Sequence, residues 1–348
     1  MKQLLFFILL LPLCVSSQKK GSKYQVHTIA FYNVENLFDT INNPNTFDDN
    51  RTPEGKDHWT QAYYQDKLGK ISKVISGIGS DVAKIPPSII GLAEVENRQV
   101  VEDLIEHPNL KKWDYGIVHF DSKDTRGIDV VLMYRRSLFT VASYKKHELH
   151  IIDSQTNLRQ YTRDQLVVSG ILDGDEINII VNHWPSRRGG EARSNYKREA
   201  AAYLTKHLVD SISRNQHKPK VIVMGDFNDD PINKSLKKIL NANDKVMATD
   251  TVGFYNPMLR MYKKGLGTLA YRDRWNLFDQ ILISPALLNS KSNGFYYWKS
   301  GIYNPNFLTN QKGKYKGYPF RAYSNGRYAG GYSDHYPVYT FLIKEIVE

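Results

Sequence analysis

Six apolar stretches of this chain each bring Asn, Glu, Asp or His to one end. They read Phe31-Tyr32-Asn33-Val34-Glu35-Asn36, Leu92-Ala93-Glu94-Val95-Glu96-Asn97, Val181-Asn182-His183-Trp184, Gly225-Asp226-Phe227-Asn228-Asp229, Phe278-Asp279-Gln280-Ile281 and Ser333-Asp334-His335-Tyr336-Pro337-Val338. One such residue is ordinarily a turn former or a helix cap. Six sets with related chemistry are harder to read as turns. Carboxylates without cysteine make a hard-oxygen site, suited to Mg²⁺, Mn²⁺ or Ca²⁺. Asparagine orients a phosphate or a water without adding charge, and histidine serves as base, acid or phosphate donor. Attack by water on an anionic phosphodiester requires its non-bridging oxygens to be neutralised, which a divalent ion and fixed donors provide.

Other polar residues admit two readings each. Arg126 and Asp129 flank the entry to a strand, where Arg126 either binds phosphate or forms a structural pair with Asp129. Ser186, Arg187, Arg188 and Arg193 form either an anion-binding loop before a helix or a solvated basic loop. Glu35 and Glu96 lie two residues beyond Asn33 and Glu94, as supporting ligands or as charged strand ends. Between Lys312 and Tyr332, Lys312, Lys314, Lys316, Arg321 and Arg327 interleave with Tyr315, Tyr318, Phe320, Tyr323 and Tyr328. That pattern suits a polynucleotide, with charges on the backbone and rings on the bases, or else a basic surface loop. The other histidines, His27 and His119 among them, lack such neighbourhoods and read as surface or packed residues.

Strands must position the polar ends. Apolar, β-branched runs at Val26–Val34, Ser88–Val95, Gly127–Tyr134, Gln165–Leu172, Ile177–Trp184, Lys220–Asp226, Gln280–Ser284 and Pro337–Ile343 predict them. Leu68, Ile71, Val74, Ile75 and Ile78 recur at helical spacing, as do Ala192, Tyr196, Ala200, Tyr203, Leu204 and Leu208. Strands outnumber helices and do not alternate strictly with them, which predicts two packed sheets flanked by helices. The stretches 42–56 and 293–332 read as loops, and a loop as long as the second is usually functional or mobile. The 348 residues are 41% hydrophobic and 24% charged, which excludes a wholly disordered chain, a collagen and a coiled coil. The single cysteine excludes a disulfide framework.

Residues 1–17 read as a secretory signal: Lys2, an apolar stretch from Leu4 to Val15, then Ser16-Ser17 before Gln18. The run is short for a membrane span, and Leu13 before Cys14 does not suit a lipoprotein signal. The expected product is a single domain over 18–348, exported to the periplasm or the medium, monomeric, without a transmembrane segment. It would lack cysteine, and its charge would fall from +11 to +10 with Lys2.

The Gly225-Asp226-Phe227-Asn228 and Ser333-Asp334-His335-Tyr336-Pro337-Val338 motifs resemble those of the endonuclease/exonuclease/phosphatase superfamily. With Phe31–Asn36, Arg126–Val131 and Asn182–Ser186, the resemblance is nearest its exported bacterial nuclease-like branch and covers about Tyr24 to Leu342. It implies the deoxyribonuclease I-like α/β fold, a four-layer sandwich of two central, mainly antiparallel β-sheets between helices. It implies that Asn33, Glu94 and Asp334 organise the metal, and that His183 donates to the scissile phosphate. Asp226 would orient or deprotonate the attacking water, with Asn228 beside it on the phosphate. Asp279 would pair with His335, the latter acting as general base or phosphate clamp. Ala93 stands where much of the family has Gln. The expected activity is metal-dependent endonucleolytic hydrolysis of DNA or RNA, leaving a 5′-phosphate and a 3′-hydroxyl. The alternative substrate is a small or lipid-borne phosphate ester. A catalytically dead binding module is disfavoured, because no member of the metal and histidine set is missing.

Overall fold

The computed structural model describes residues 23–153, 155–250, 252–324 and 326–346. The expected signal segment lies outside them. In chain order the strands of the two sheets are β1 (Tyr24–Leu37), β2 (Ile89–Val95), β3 (Tyr115–His119), β4 (Asp129–Arg135), β5 (Phe139–His147), β6 (Gln165–Leu172), β7 (Asp175–His183), β8 (Val221–Asp226), β9 (Ala242–Asn243), β10 (Phe254–Tyr255), β11 (Asp279–Ile283), β12 (Tyr296–Ile302) and β13 (Val338–Glu345). One six-stranded sheet runs β12-β13-β1-β2-β4-β3, and a seven-stranded sheet runs β9-β10-β11-β8-β7-β6-β5. Pairing is antiparallel except for β1 with β2, β7 with β8 and β9 with β10. The main helices are α1 (Gln61–Gly77), α2 (Arg98–Glu106) and α3 (Glu191–Asn215).

Side-chain alternation sorts the residues into layers. On β1, Ile29 and Phe31 face the other sheet, meeting Ile179, Val181, Ile222, Met224 and Ile281. Ala30, Tyr32 and Val34 point outward and pack with Leu68, Ile71, Val74 and Ile75 of α1 and Leu104 of α2. The outer face of the second sheet, through Ile180, Val221, Val223 and Leu282, packs on Ala201, Ala202 and Leu208 of α3. The result is the expected four-layer α/β sandwich. The sheets approach closely at Gly91, where an added Cβ would lie 2.8 Å from Met224 Sδ and 3.0 Å from Val181 Cγ1.

The structure corrects two sequence expectations. β12 lies inside the stretch read as a loop; it is an edge strand, half-exposed along its length, so it carries no clean alternation. Helix α3 is present, but its buried face runs through Ser194, Arg198, Ala201, Thr205 and Leu208. Tyr203, read as part of the apolar face, is exposed. Arg198 and Thr205 are buried because Asp229, Gln165 and Asn182 meet them with hydrogen bonds.

Candidate active site

Register brings three strand ends to one level. Asp226 pairs with His183 across β8 and β7, and with Asp279 across β8 and β11. All three continue inward faces: Val181 precedes His183, Met224 precedes Asp226, and Ile281 follows Asp279, each two residues away. The same alternation carries Asn33 inward from Ile29 and Phe31. Its Nδ2 donates to Asp226 Oδ2 at 3.1 Å, tying the rims of the two sheets together.

Glu94 reaches the site by a different device. Ala93 faces inward, so plain alternation would send Glu94 outward toward the helices. Instead Glu94 has a φ of 65°, and the β2–β4 register shifts between Ala93 and Val95. Opposite it, Glu35 and Asn36 have φ values of 51° and 55°, and the β1–β2 register shifts beyond Asn33. Such paired bulges re-aim side chains at a sheet edge. Glu94 Oε2 accepts from Asn36 N at 3.0 Å, leaving Oε1 at 3.9 Å from His183 Nε2 and 3.8 Å from Arg126 Nη1.

The charge states differ sharply between the two histidines. His335 Nδ1 lies 2.7 Å from Asp279 Oδ2, and its Nε2 is 3.9 Å from both Asp226 and Asp334. Burial alone would lower its pKa, but Asp279, Asp226 and Asp334 outweigh burial and hold it well above the ordinary imidazole range. His335 is therefore an imidazolium near neutral pH. His183 is the reverse: burial first, then the cations Arg163 and Arg126, keep it far below that range and neutral. Its Nε2 lies 3.6 Å from Asp226 Oδ2. Burial lifts Asp226 to about 6, against the pull of His335. Asn228, with a φ of 50°, donates its backbone N–H to Asp226 Oδ1 at 2.9 Å and its amide to Trp184 O at 3.0 Å.

The residues expected to organise the metal each have a partner of their own in this structure. Asn33 faces Asp226, Glu94 faces His183 and Arg126, and Asp334 Oδ2 pairs with Arg321 at 3.0 Å. The acid and imidazole atoms that lie within 4.8 Å of one another here belong to Asp226, Asp279 and His335. A second such group, His119, Asp121 and Asp129, includes Asp129, the residue read as a partner for Arg126. Arg126 instead meets Glu94 and Asp124. Arg187 is engaged by the protein itself. Its guanidinium donates to Asn228 O, Glu191, Asp229, Asp230 and Asn233, and it covers the Phe278 ring at 4.6 Å. That places it as a brace under the Asn228 turn. Arg188 is exposed on the loop beside it.

Several supporting residues escaped sequence reasoning. Lys67 is buried on the apolar face of α1, near Glu35 and Asp334, and burial lowers it to about 8. Glu35 accepts from Ala322 N at 2.6 Å and from Arg321 at 3.2 Å; burial, then Asp334, raises it to about 7. Arg163 bridges Asp124 at 3.0 Å and Trp184 O at 2.6 Å behind His183. A lysine one residue before Leu68, on an otherwise apolar stripe, was the visible signal for Lys67. Arg163 had none. Glu96 turns away from this centre, accepting from Asp39 N at 2.7 Å, and burial raises it to about 8. In the basic loop, Tyr323 and Tyr328 pack on Trp59, and Phe320 packs on Tyr332. Those rings are structural, while Tyr315 stays exposed.

Comparison with known proteins agrees with this architecture. The model of the Endonuclease/Exonuclease/phosphatase family matches residues 28–344. No curated protein compared with the chain matches it. Among solved structures, a humanized D. rerio TDP2 superposes with a TM-score of 0.53 at 13% identity, covering 91% of this chain and 98% of that one. An endonuclease/exonuclease/phosphatase family protein from Bacteroides thetaiotaomicron gives 0.52 at 17% identity, covering 93% and 97%. A mannosyl-6-phosphatase from the same organism gives 0.51 at 17%, covering 91% and 99%. Among the described residues, no helix is long and apolar enough to cross a membrane.

Proposed function

The chain belongs to the endonuclease/exonuclease/phosphatase family, and from that premise we propose that it is an exported, divalent-metal-dependent phosphodiesterase that hydrolyses DNA or RNA. The observation that carries the reading is the joined rim: Asn33 bonded to Asp226 across the sheets, with His183 and Asp279 in register and His335 on Asp279. The donor set fits a hard cation, since it offers carboxylates and imidazole and no thiol. Glu94, Asp334 and Asn33 would hold the ion, as the family resemblance implies, with Asp226 adjoining. The ion would supply Lewis-acid neutralisation of the phosphate oxygens.

The protein's own residues divide the remaining work by charge state. Asp226, ionised above about pH 6 and fixed by Asn33 and Asn228 N–H, accepts the proton of the attacking water. The carboxylates around His335 favour its protonated form, which suits it to clamp a phosphoryl oxygen. Asp279 holds its ring by the Nδ1 contact. Neutral His183 presents Nε2 to the same space and donates to the scissile phosphate as its charge falls on oxygen. Water's oxygen bonds to phosphorus, and the ester P–O bond breaks with its electron pair passing to the leaving oxygen, which takes a proton from solvent.

The mannosyl-6-phosphatase among the similar structures keeps a small phosphate ester as the second reading. A panel of plasmid, single-stranded RNA, phosphomonoesters and lipid phosphodiesters, each with Mg²⁺, Mn²⁺, Ca²⁺ or EDTA, separates the two. Metal-dependent cleavage of a polynucleotide is the expected result. Turnover confined to one small or lipid ester would replace the leading reading.

A further inference from the structure

The hairpin Leu269–Tyr271/Arg274–Asn276 grows directly out of the candidate centre. Leu269 forms an antiparallel bridge with His335, and Thr268 Oγ1 accepts from Asp279 N at 3.3 Å. Trp275 stacks on Tyr336 with centroids 6.0 Å apart and planes 15° from parallel. The base of the hairpin is thus fixed to the His335–Asp279 pair, and its tip projects.

The tip carries Tyr271, 62% exposed, and Trp275, 37% exposed, with the exposed Arg272 and Arg274 between them. Arg272 and Asp273 occupy the two central turn positions with φ of 49° and 61°. A two-residue turn of this hand is ordinarily Asn-Gly or Gly-Gly. A second segment is locked to the tip: Tyr318 Oη donates to Asp273 Oδ1 and accepts from Asp273 N at 2.8 Å. That segment adds the exposed Lys314 and Tyr315, the latter 48% exposed.

Exposed rings alternating with cations beside a phosphoesterase centre match the repeat of a single strand, bases on rings and phosphates on cations. We infer that the hairpin 269–276 and the segment 312–318 form a stacking platform that seats a single-stranded nucleic acid beside His335. This rests on the phosphodiesterase reading for its purpose, but its test does not. Rings set among Arg272 and Arg274 would also suit an anionic lipid surface, so vesicles form one arm of the test.

Binding of a short dye-labelled oligo(dT) in EDTA measures the platform without turnover. Trp275→Ala and Tyr271→Ala are each expected to weaken it about tenfold, in line with base–aromatic stacking, while Trp275→Phe retains it. Heparin, a polyanion without bases, is expected to bind the ring variants normally and to weaken with Arg272→Ala plus Arg274→Ala. Undiminished oligonucleotide binding in both ring variants would overturn the platform, as would equal losses on heparin or tighter retention on anionic vesicles than on oligo(dT). Loss of binding in Trp275→Ala, in a protein that cleaves no phosphodiester, would leave the platform standing and remove the proposed function. Full polynucleotide cleavage by both ring variants at low substrate concentration would do the opposite.

Discussion

Strand β1 carries a buried polar residue near each of its ends, and each belongs to a region with a histidine set against an aspartate. At one end His27 Nε2 lies 2.8 Å from Asp173 and its Nδ1 lies 2.7 Å from Ser88 Oγ. Six residues along, roughly 20 Å for an extended strand, Asn33 opens onto the rim where His335 meets Asp279 at 2.7 Å. The two histidine–aspartate contacts are alike in length, though Asp173 is partly exposed and Asp279 buried, and the rings are shifted in opposite directions. Burial wins at His27, where Asp173 works against it and Arg135 with it, and the ring stays neutral. At His335 three carboxylates overcome burial. What distinguishes the candidate centre is the number of acids converging on the ring, not the length of one contact.

The sharpest way to break this comparison is to remove the converging groups. His335→Ala is expected to lower the phosphodiesterase rate by about a thousandfold, within the usual range for a lost proton-transfer or donor group. Asp279→Asn, which keeps the shape but removes the principal acid, is expected to cost about a hundredfold. Unchanged single-turnover rates in Asp279→Asn would remove the distinction. At the other end, Asp173→Asn is expected to leave the rate unchanged.

Stability against pH sharpens the contrast further, because the two histidines have opposite signs. His27 is depressed in the folded protein from 6.5, so the unfolded chain takes up a proton that the folded one refuses. The stability it contributes is therefore present above about pH 6.5 and falls on acidification. The melting-temperature advantage of wild type over His27→Gln should shrink between pH 7.5 and pH 5. His335 is raised from 6.5, so its contribution is complete below that value and is lost as pH rises through the higher folded value. The advantage over His335→Gln should shrink instead toward alkaline pH. Two curves of the same slope would contradict the assignment. The smallest expected effect is that of Asp173→Asn on stability, about 1 kcal/mol for one altered hydrogen-bonding partner, read by chemical denaturation.

Much of this was legible in the chain. Alternation through Ile29-Phe31-Asn33 and Val181-His183 both predicts the strands and aims their last residues, so fold and site were readable together. Glu94 was found by its motif, yet its aim depends on a bulge at positive φ that a period-two pattern assigns to the wrong face. The partners of Arg187 were not legible, because its spacing after His183 says nothing of Asp229, Asp230 and Asn233, which reach it from the turn after β8. Lys67 left a trace as a lysine on an apolar stripe, but its carboxylate neighbours, like those of Arg163, arrive only by folding. Exposed Trp275 and packed Tyr323 look alike in sequence; tertiary packing separates them.

The most direct test of the account is the rate of polynucleotide phosphodiester cleavage by wild type and Asp226→Asn, with Mg²⁺ or Mn²⁺ and with EDTA, after circular dichroism has shown both folded. The account predicts cleavage by wild type that requires the ion and vanishes in the variant. Ion-dependent cleavage that survives in folded Asp226→Asn would place the chemistry elsewhere and contradict the joined rim as its centre.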